Sequence, residues 1–328
     1  MTSPLLSTSA QTSHERAHLT RSTELESTPA THPRFGITDL SLLLMALIWG
    51  VNFSLVKYGT TVLHPLAYNG ARVTLAAVAL VLIAQLSTRF GGSVANGWPA
   101  ARDALALVGL GMIGNGLYQI MFVEGVARTR ASDAALVIAA SPAFTALFGR
   151  LRGTERVSRR GMIGIALSIL GIGFVVVGGD EQGAARQATL AGDLLILAGA
   201  LCWSIFTVYL QPYTHRVSGL HLSALTMVGG LIPLLIVGAP AILATRWSAV
   251  PSTAWGAVAY SGLGALVIAY LFWYRGVRIL GPTRTAMYSN VQPVFAVLAA
   301  WIALGETPGV WQLTGAASIL TGLVLTRA

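Results

Sequence analysis

The sequence predicts an all-α membrane protein with ten transmembrane helices, arranged as two inverted five-helix repeats. Three observations carry that expectation: the composition, the spacing of the apolar runs, and a likeness between the two halves of the chain. Of 328 residues, 54% are hydrophobic and only 10% charged, and the mean hydropathy is +0.68. A soluble domain carries about 25% charged residues, so this chain lacks the polar surface to fold in water.

The first 36 residues are rich in Ser and Thr, hold three Arg and three Glu, and contain no apolar stretch of the kind a secretory signal needs. They read as a disordered cytoplasmic tail. Ten apolar segments follow, near 38–58, 65–86, 104–126, 131–149, 160–178, 190–211, 220–242, 254–275, 282–302 and 309–326. Each approaches the ~20 residues that cover the ~30 Å hydrocarbon core. Closely spaced glycines (Gly109, Gly111, Gly114, Gly116; Gly161, Gly164; Gly262, Gly264) suit tight helix packing in lipid. Pro142, Pro233 and Pro293 fall inside spans, where each removes a backbone donor; Pro142 and Pro293 mark expected helix breaks.

The net charge is +9, and the basic residues sit in short loops between apolar runs. That pattern points to lipid headgroups and topology rather than nucleic acid. With the N-terminus inside, 15 Arg residues fall on the inner side against four Arg and Lys57 on the outer. Both termini are therefore expected in the cytoplasm, with the chain in the inner or plasma membrane. The lone cysteine, Cys202, permits no internal disulfide and reads as a small buried residue.

The halves resemble each other. ALIWGVNFSLV around Trp49 is echoed by ALCWSIFTVYL around Trp203 at an offset of 154. At an offset of 151, Gly125, Pro142, Phe144, Glu155, Gly164 and Gly171 match Gly276, Pro293, Phe295, Glu306, Gly315 and Gly322. Repeats of five crossings each have an odd number, so the second enters from the opposite face. Such inverted repeats build many secondary transporters, with the site at the repeat interface near mid-membrane. The expected divisions are 37–180 for the first repeat and 188–328 for the second.

The segments LIWGVNFSLVKYG, FVEGVARTRASDAALVIAASPAFTALF, GVRILGPTRTAMYSNVQPVFAVLAAWIALGE and LTGAASILTGLVL, with Arg72 early in the second span, resemble the drug/metabolite transporter superfamily, in its branch of two EamA-type domains. The likeness runs from residue 38 to the C-terminus. It implies a ten-helix bundle that exports or exchanges a small solute by alternating access, through a cavity lined by the first, third, fourth, sixth, eighth and ninth spans.

Candidate site residues follow from polarity at depth. Arg72, roughly 10 Å into the second span at 1.5 Å per residue, and Glu124 near the outer end of the third could form an ion pair or a coupling site, because charge in a bilayer is costly. Either could equally be structural, and Glu124 departs from the small or apolar residue the resemblance leads one to expect. Asn52, Tyr118, Trp203, Thr207, Tyr270, Tyr288, Asn290 and Gln292 are candidate substrate-binding groups: aromatic walls with a few amides suit a small amphipathic molecule. Interhelical hydrogen bonding and packing are the competing explanation. Glu155 and Glu306 precede helices and read as partners of helix N-termini, with Ser158 and Thr307 as caps.

No HExxH, Walker A, GxSxG or metal-ligand cluster occurs, so no enzyme activity, cofactor or metal is expected. The expected partners are the lipid bilayer, a small-molecule substrate and, as a candidate coupling ion, the proton through Glu124; the chain acts as monomer or homodimer.

Overall fold

Apolar runs surrounded by lipid must satisfy their backbone groups within the segment, and every regular element described is helical. The computed structural model describes residues 36–90, 97–153, 158–177, 183–280, 285 and 288–327. The expectations for the N-terminal tail and for Glu155 lie outside them.

The helices are α1 (Ile37–Val62), α2 (Pro65–Phe90), α3 (Ala101–Arg128), α4 (Ala131–Leu151), α5 (Arg159–Val177), α6 (Gly183–Thr214), α7 (Gly219–Ala244), α8 (Ser252–Leu280), α9 (Gln292–Leu304) and α10 (Val310–Arg327). The first eight are long and apolar enough to cross a membrane, whereas α9 and α10 are shorter apolar helices. At ~1.5 Å per residue the 13 residues of α9 rise only about 20 Å. The chain is a multi-pass membrane protein.

Prolines explain the interruptions. Helix α4 consists of Ala131–Ala139 and Ser141–Leu151, separated at Ala140, with Pro142 in the first turn of the second piece. Helix α9 starts just after a turn at Asn290 and Val291, with Pro293 in its first turn. Proline is well placed there, since a first-turn N–H has no helical partner to lose. The Ser204 hydroxyl donates to the Ser141 carbonyl at 3.0 Å, across from α6.

Two wide π-helical turns interrupt α3 at Met112–Leu117 and α8 at Tyr260–Ile268. In each the ladder skips to i→i−5: Tyr118 N–H reaches Ile113 O, and Ala269 N–H reaches Gly264 O.

Small residues set the closest helix approaches, as lipid-exposed packing requires. Helix α3 meets α7 where Gly111 lies against the backbone of Thr226 and Gly229 against that of Val108. Helix α5 meets α10 where a Cβ on Gly171 would stand 2.8 Å from the Gly315 carbonyl oxygen, and one on Gly322 2.5 Å from that of Gly164. Outward faces stay apolar, with Ile236 72% and Ile302 79% exposed. The residues Thr38–Ala328 form one compact unit.

Candidate functional site: a central cavity

A cavity of about 510 Å³ lies among α1, α2, α3, α4, α6, α8, α9 and α10. Its size suits a small organic molecule. One wall is a continuous run of rings. Trp49 meets Tyr270 edge-on at 5.9 Å and Trp273 at 5.8 Å. Trp203 packs on Tyr118 at 5.2 Å and on Tyr270 at 6.0 Å. The Trp49 indole is fixed by a 2.9 Å bond to the Ala265 carbonyl.

The opposite polarity comes from amides and one cation. Asn52, Asn290 and Gln292 line the cavity, and the side-chain oxygens of Asn52 and Asn290 are buried without a hydrogen-bond partner. Each can accept a hydrogen bond from a polar group in the cavity. Arg72 lines it too, and is 1% exposed. Its Nε donates to Asn69 Oδ1 at 2.9 Å and its Nη2 to Gln119 Oε1 at 2.6 Å.

Of the residues singled out above, Asn52, Arg72, Tyr118, Pro142, Trp203, Thr207, Tyr270, Asn290 and Gln292 border this one cavity. Thr207 spends its hydroxyl on the Trp203 carbonyl at 2.8 Å. Tyr288 lies elsewhere, its hydroxyl bonded to the Asp39 carboxylate. Pro293 does not border the cavity but is buried at the start of α9. The Arg72–Glu124 pair does not form: Arg72 turns to Asn69 and Gln119, and Glu124 pairs with Arg128 one turn along α3. Gln119 is more than a turn before Glu124 on α3, and it occupies the place beside Arg72.

Trp49, Asn69, Gln211 and His215 belong to the site or its support and were not among the candidates. Trp49 and Asn52, and likewise Asn69 and Arg72, are i,i+3 neighbours on one helix face, which is the signal that could have found them.

The cavity reaches the surface at Gln211 and His215, at the C-terminal end of α6, where both are exposed. The other end of the bundle, about 30 Å back along α6 from Thr214 at Asp193, is tied by polar contacts. Lys57 Nζ donates to the carbonyls of Val126, Ala127 and Thr129 at 3.1, 3.1 and 2.6 Å. Thr129 Oγ1 donates to Asp193 at 2.5 Å. Glu306 accepts the backbone N–H groups of Ala131 and Ser132, both at 3.0 Å, and the Ser132 hydroxyl at 2.7 Å. Glu306 does serve a helix N-terminus, but it is that of α4 rather than α10. Gly305, at φ +69°, ends α9 in the left-handed region and turns the chain to bring Glu306 there. Thr307 contributes its carbonyl to Arg130 at 2.7 Å. Ser158 caps α5 through Gly161 N–H at 3.1 Å.

Apolar helices packed around a solute-sized, partly polar cavity are the build of a membrane carrier. The chain matches the EamA-like transporter family over residues 36–177 and 190–328, and it belongs to that family. It is similar to a probable terminal-alkyne amino-acid exporter of Streptantibioticus cattleyicolor, 29% identical over 87% of this chain and 91% of that one. A probable amino-acid metabolite efflux pump of Salmonella typhimurium is 28% identical over 86% of this chain and 92% of that one. A solved crystal structure, 21% identical, shares the fold with a TM-score of 0.57 over 88% of this chain and 95% of that one. The protein is a membrane transporter, not an enzyme, and its substrates are small molecules.

Proposed function

We propose that the protein is a secondary transporter that exports small metabolites or amino acids by alternating access, with the central cavity as its solute site. The observation that carries this reading is the cavity itself, which reaches the surface at Gln211 and His215 and is tied off at the end holding Lys57 and Glu306. With both termini in the cytoplasm of a cell whose inner or plasma membrane it spans, the open end faces inward, the state in which an exporter loads. The names of the two amino-acid-exporting relatives favour the same class of solute.

We read the architecture as ten crossings in two inverted five-helix repeats, 37–180 and 188–328, with α9 and α10 completing the second. Support comes from reciprocity. Gly171 lies on Gly315 and Gly322 on Gly164, and 315 and 322 are 164 and 171 displaced by 151. Contact of i with j′ repeated as j with i′ is what a two-fold axis demands. The wide turns of α3 and α8 also overlap under that shift. The proline-started pieces at Pro142 and Pro293 correspond as well.

Asn52, Tyr118, Trp203, Tyr270, Asn290 and Gln292 contact the solute in this reading, and Thr207 contributes only its methyl face. We favour flux down the solute's own gradient or by exchange, since Glu124, the candidate for proton coupling, lies off the cavity. Reconstitution in liposomes with a panel of labelled amino acids and metabolites tests this. Flux of at least one compound is expected, without dependence on an imposed pH gradient. No flux of any class would overturn the transport mechanism, and gradient-driven accumulation would overturn the uncoupled form.

A further inference from the structure

Arg72 is the one fully charged side chain among the described residues lining the cavity. At 1% exposure it is the largest fully buried side chain described. A buried cation normally has an anion beside it, since an uncompensated charge in a low-dielectric site is among the most costly arrangements a protein can hold. Here every partner is neutral. Asn69 and Gln119 accept from Nε and Nη2. The rings of Tyr68 and Phe122 lie 5.9 and 5.5 Å from the guanidinium carbon. The described ion pairs are Arg128–Glu124 and Arg130–Glu306, and neither includes it. Among the described residues nothing accepts from Nη1.

The two amide bonds do more than soften the charge. They lock the guanidinium plane, so the remaining nitrogen keeps a fixed direction and loses little freedom when an acceptor arrives. Charge-assisted bonds from a preorganised guanidinium are strong, and the planar fork matches a carboxylate. The aromatic wall beside it is apolar and suits an organic body.

We propose that the transported solute carries a carboxylate that docks on Arg72, with its apolar part against Trp49, Trp203 and Tyr270. One charge argues for a monoanionic group: a dianionic phosphate ester would leave one negative charge buried and unpaired. The assignment rests on the cavity being the solute's route, as proposed above, and makes Arg72 the specificity-determining residue. The cavity thus runs from its exposed mouth at Gln211 and His215 to the buried guanidinium.

The test uses the full chain in detergent, with binding read by isothermal titration calorimetry. Leucine, phenylalanine, tryptophan and their deaminated acids are titrated, each beside its primary amide. At least one acid is expected to bind about tenfold or more tighter than its amide, the loss that follows from deleting a charge-assisted bond. Arg72→Gln is expected to bring that ratio near one; because it is a ratio, it does not depend on how much of the variant folds. The comparison of acid with amide on the unmodified protein stands even if the variant is lost. Acids that bind no tighter than their amides overturn the proposal, and so does a panel in which no acid binds. Liposome flux of amides or amines without flux of acids sinks the Arg72 assignment and leaves the transport mechanism intact, whereas no flux of any compound sinks both.

Discussion

The Gln119 side-chain oxygen accepts from Arg72 Nη2 at 2.6 Å, while the backbone oxygen of the same residue accepts from Asn69 Nδ2 at 2.9 Å. One residue of α3 thus holds both the cation of α2 and the amide that flanks it. Replacing Gln119 by Leu is expected to cost about 1.5–3 kcal/mol, the range for losing a hydrogen bond to a charged group. Thermal unfolding in detergent reads this. Gln119→Glu is the sharper variant, because it supplies an internal anion. It is expected to unfold no earlier than the unmodified protein yet to bind carboxylic acids at least about tenfold more weakly. Undiminished binding in Gln119→Glu would argue that the guanidinium is only structural.

The α5–α10 seam gives a second prediction. A side chain on Gly171 would meet the Gly315 carbonyl and the backbone of Ile319. Gly171→Leu should therefore lower stability by about 1–3 kcal/mol through overpacking. Gly173, two residues on, has nothing within 4 Å of a built Cβ. Gly173→Ala should hold or raise the melting temperature, since alanine favours a helix by up to ~1 kcal/mol over glycine.

Glu306 joins the end of α9 to the start of α4. Glu306→Ala removes three accepted hydrogen bonds and a carboxylate at a helix N-terminus. A loss of about 1–2 kcal/mol is expected, as for other helix caps. Thr307→Ala is the matched control: the bond from Arg130 reaches its backbone carbonyl, so no change is expected. Equal melting of the two variants would contradict the capping role.

Glu124 pairs with a half-exposed Arg128 and does not border the cavity. Exposed ion pairs contribute about 0–1 kcal/mol. Glu124→Gln should keep the flux of the unmodified protein with the same response to external pH. A variant that loses flux while still folded would return Glu124 to the coupling mechanism.

Several of these features were legible in the sequence and others were not, for physical reasons. Hydropathy locates spans because burial in lipid demands long apolar runs, and the long helices follow it. Polarity at depth is a local property, so Asn52, Trp203 and Asn290 stood out and all border the cavity. Partnership is not local. Arg72 and Glu124 both lie toward the same end of the bundle, but the choice of Gln119 over Glu124, about 7.5 Å apart along α3, depends on how α3 is set against α2. Glu306 reaches α4 only because Gly305 ends α9 in a left-handed turn. Tyr288 has the composition of a cavity wall but bonds to Asp39. The turn at Asn290 and Val291, after which α9 starts at Gln292, is likewise something composition alone does not reveal.

The wide turn at Met112–Leu117 has a consequence for how this chain can change over generations. Such a turn holds one residue more than an α-helix needs and absorbs it without rotating the helix beyond. Deleting a residue there, with closure into ordinary α-helix, would leave Tyr118, Gln119 and Phe122 facing the cavity. The same deletion in a regular stretch of α-helix would swing all that follows by about 100°. Substitution is less forgiving: a Cβ on Gly114 would stand 2.1 Å from the Phe206 ring, and one on Gly116 2.3 Å from Pro233. Spelling in this stretch of α3 is therefore more constrained than length.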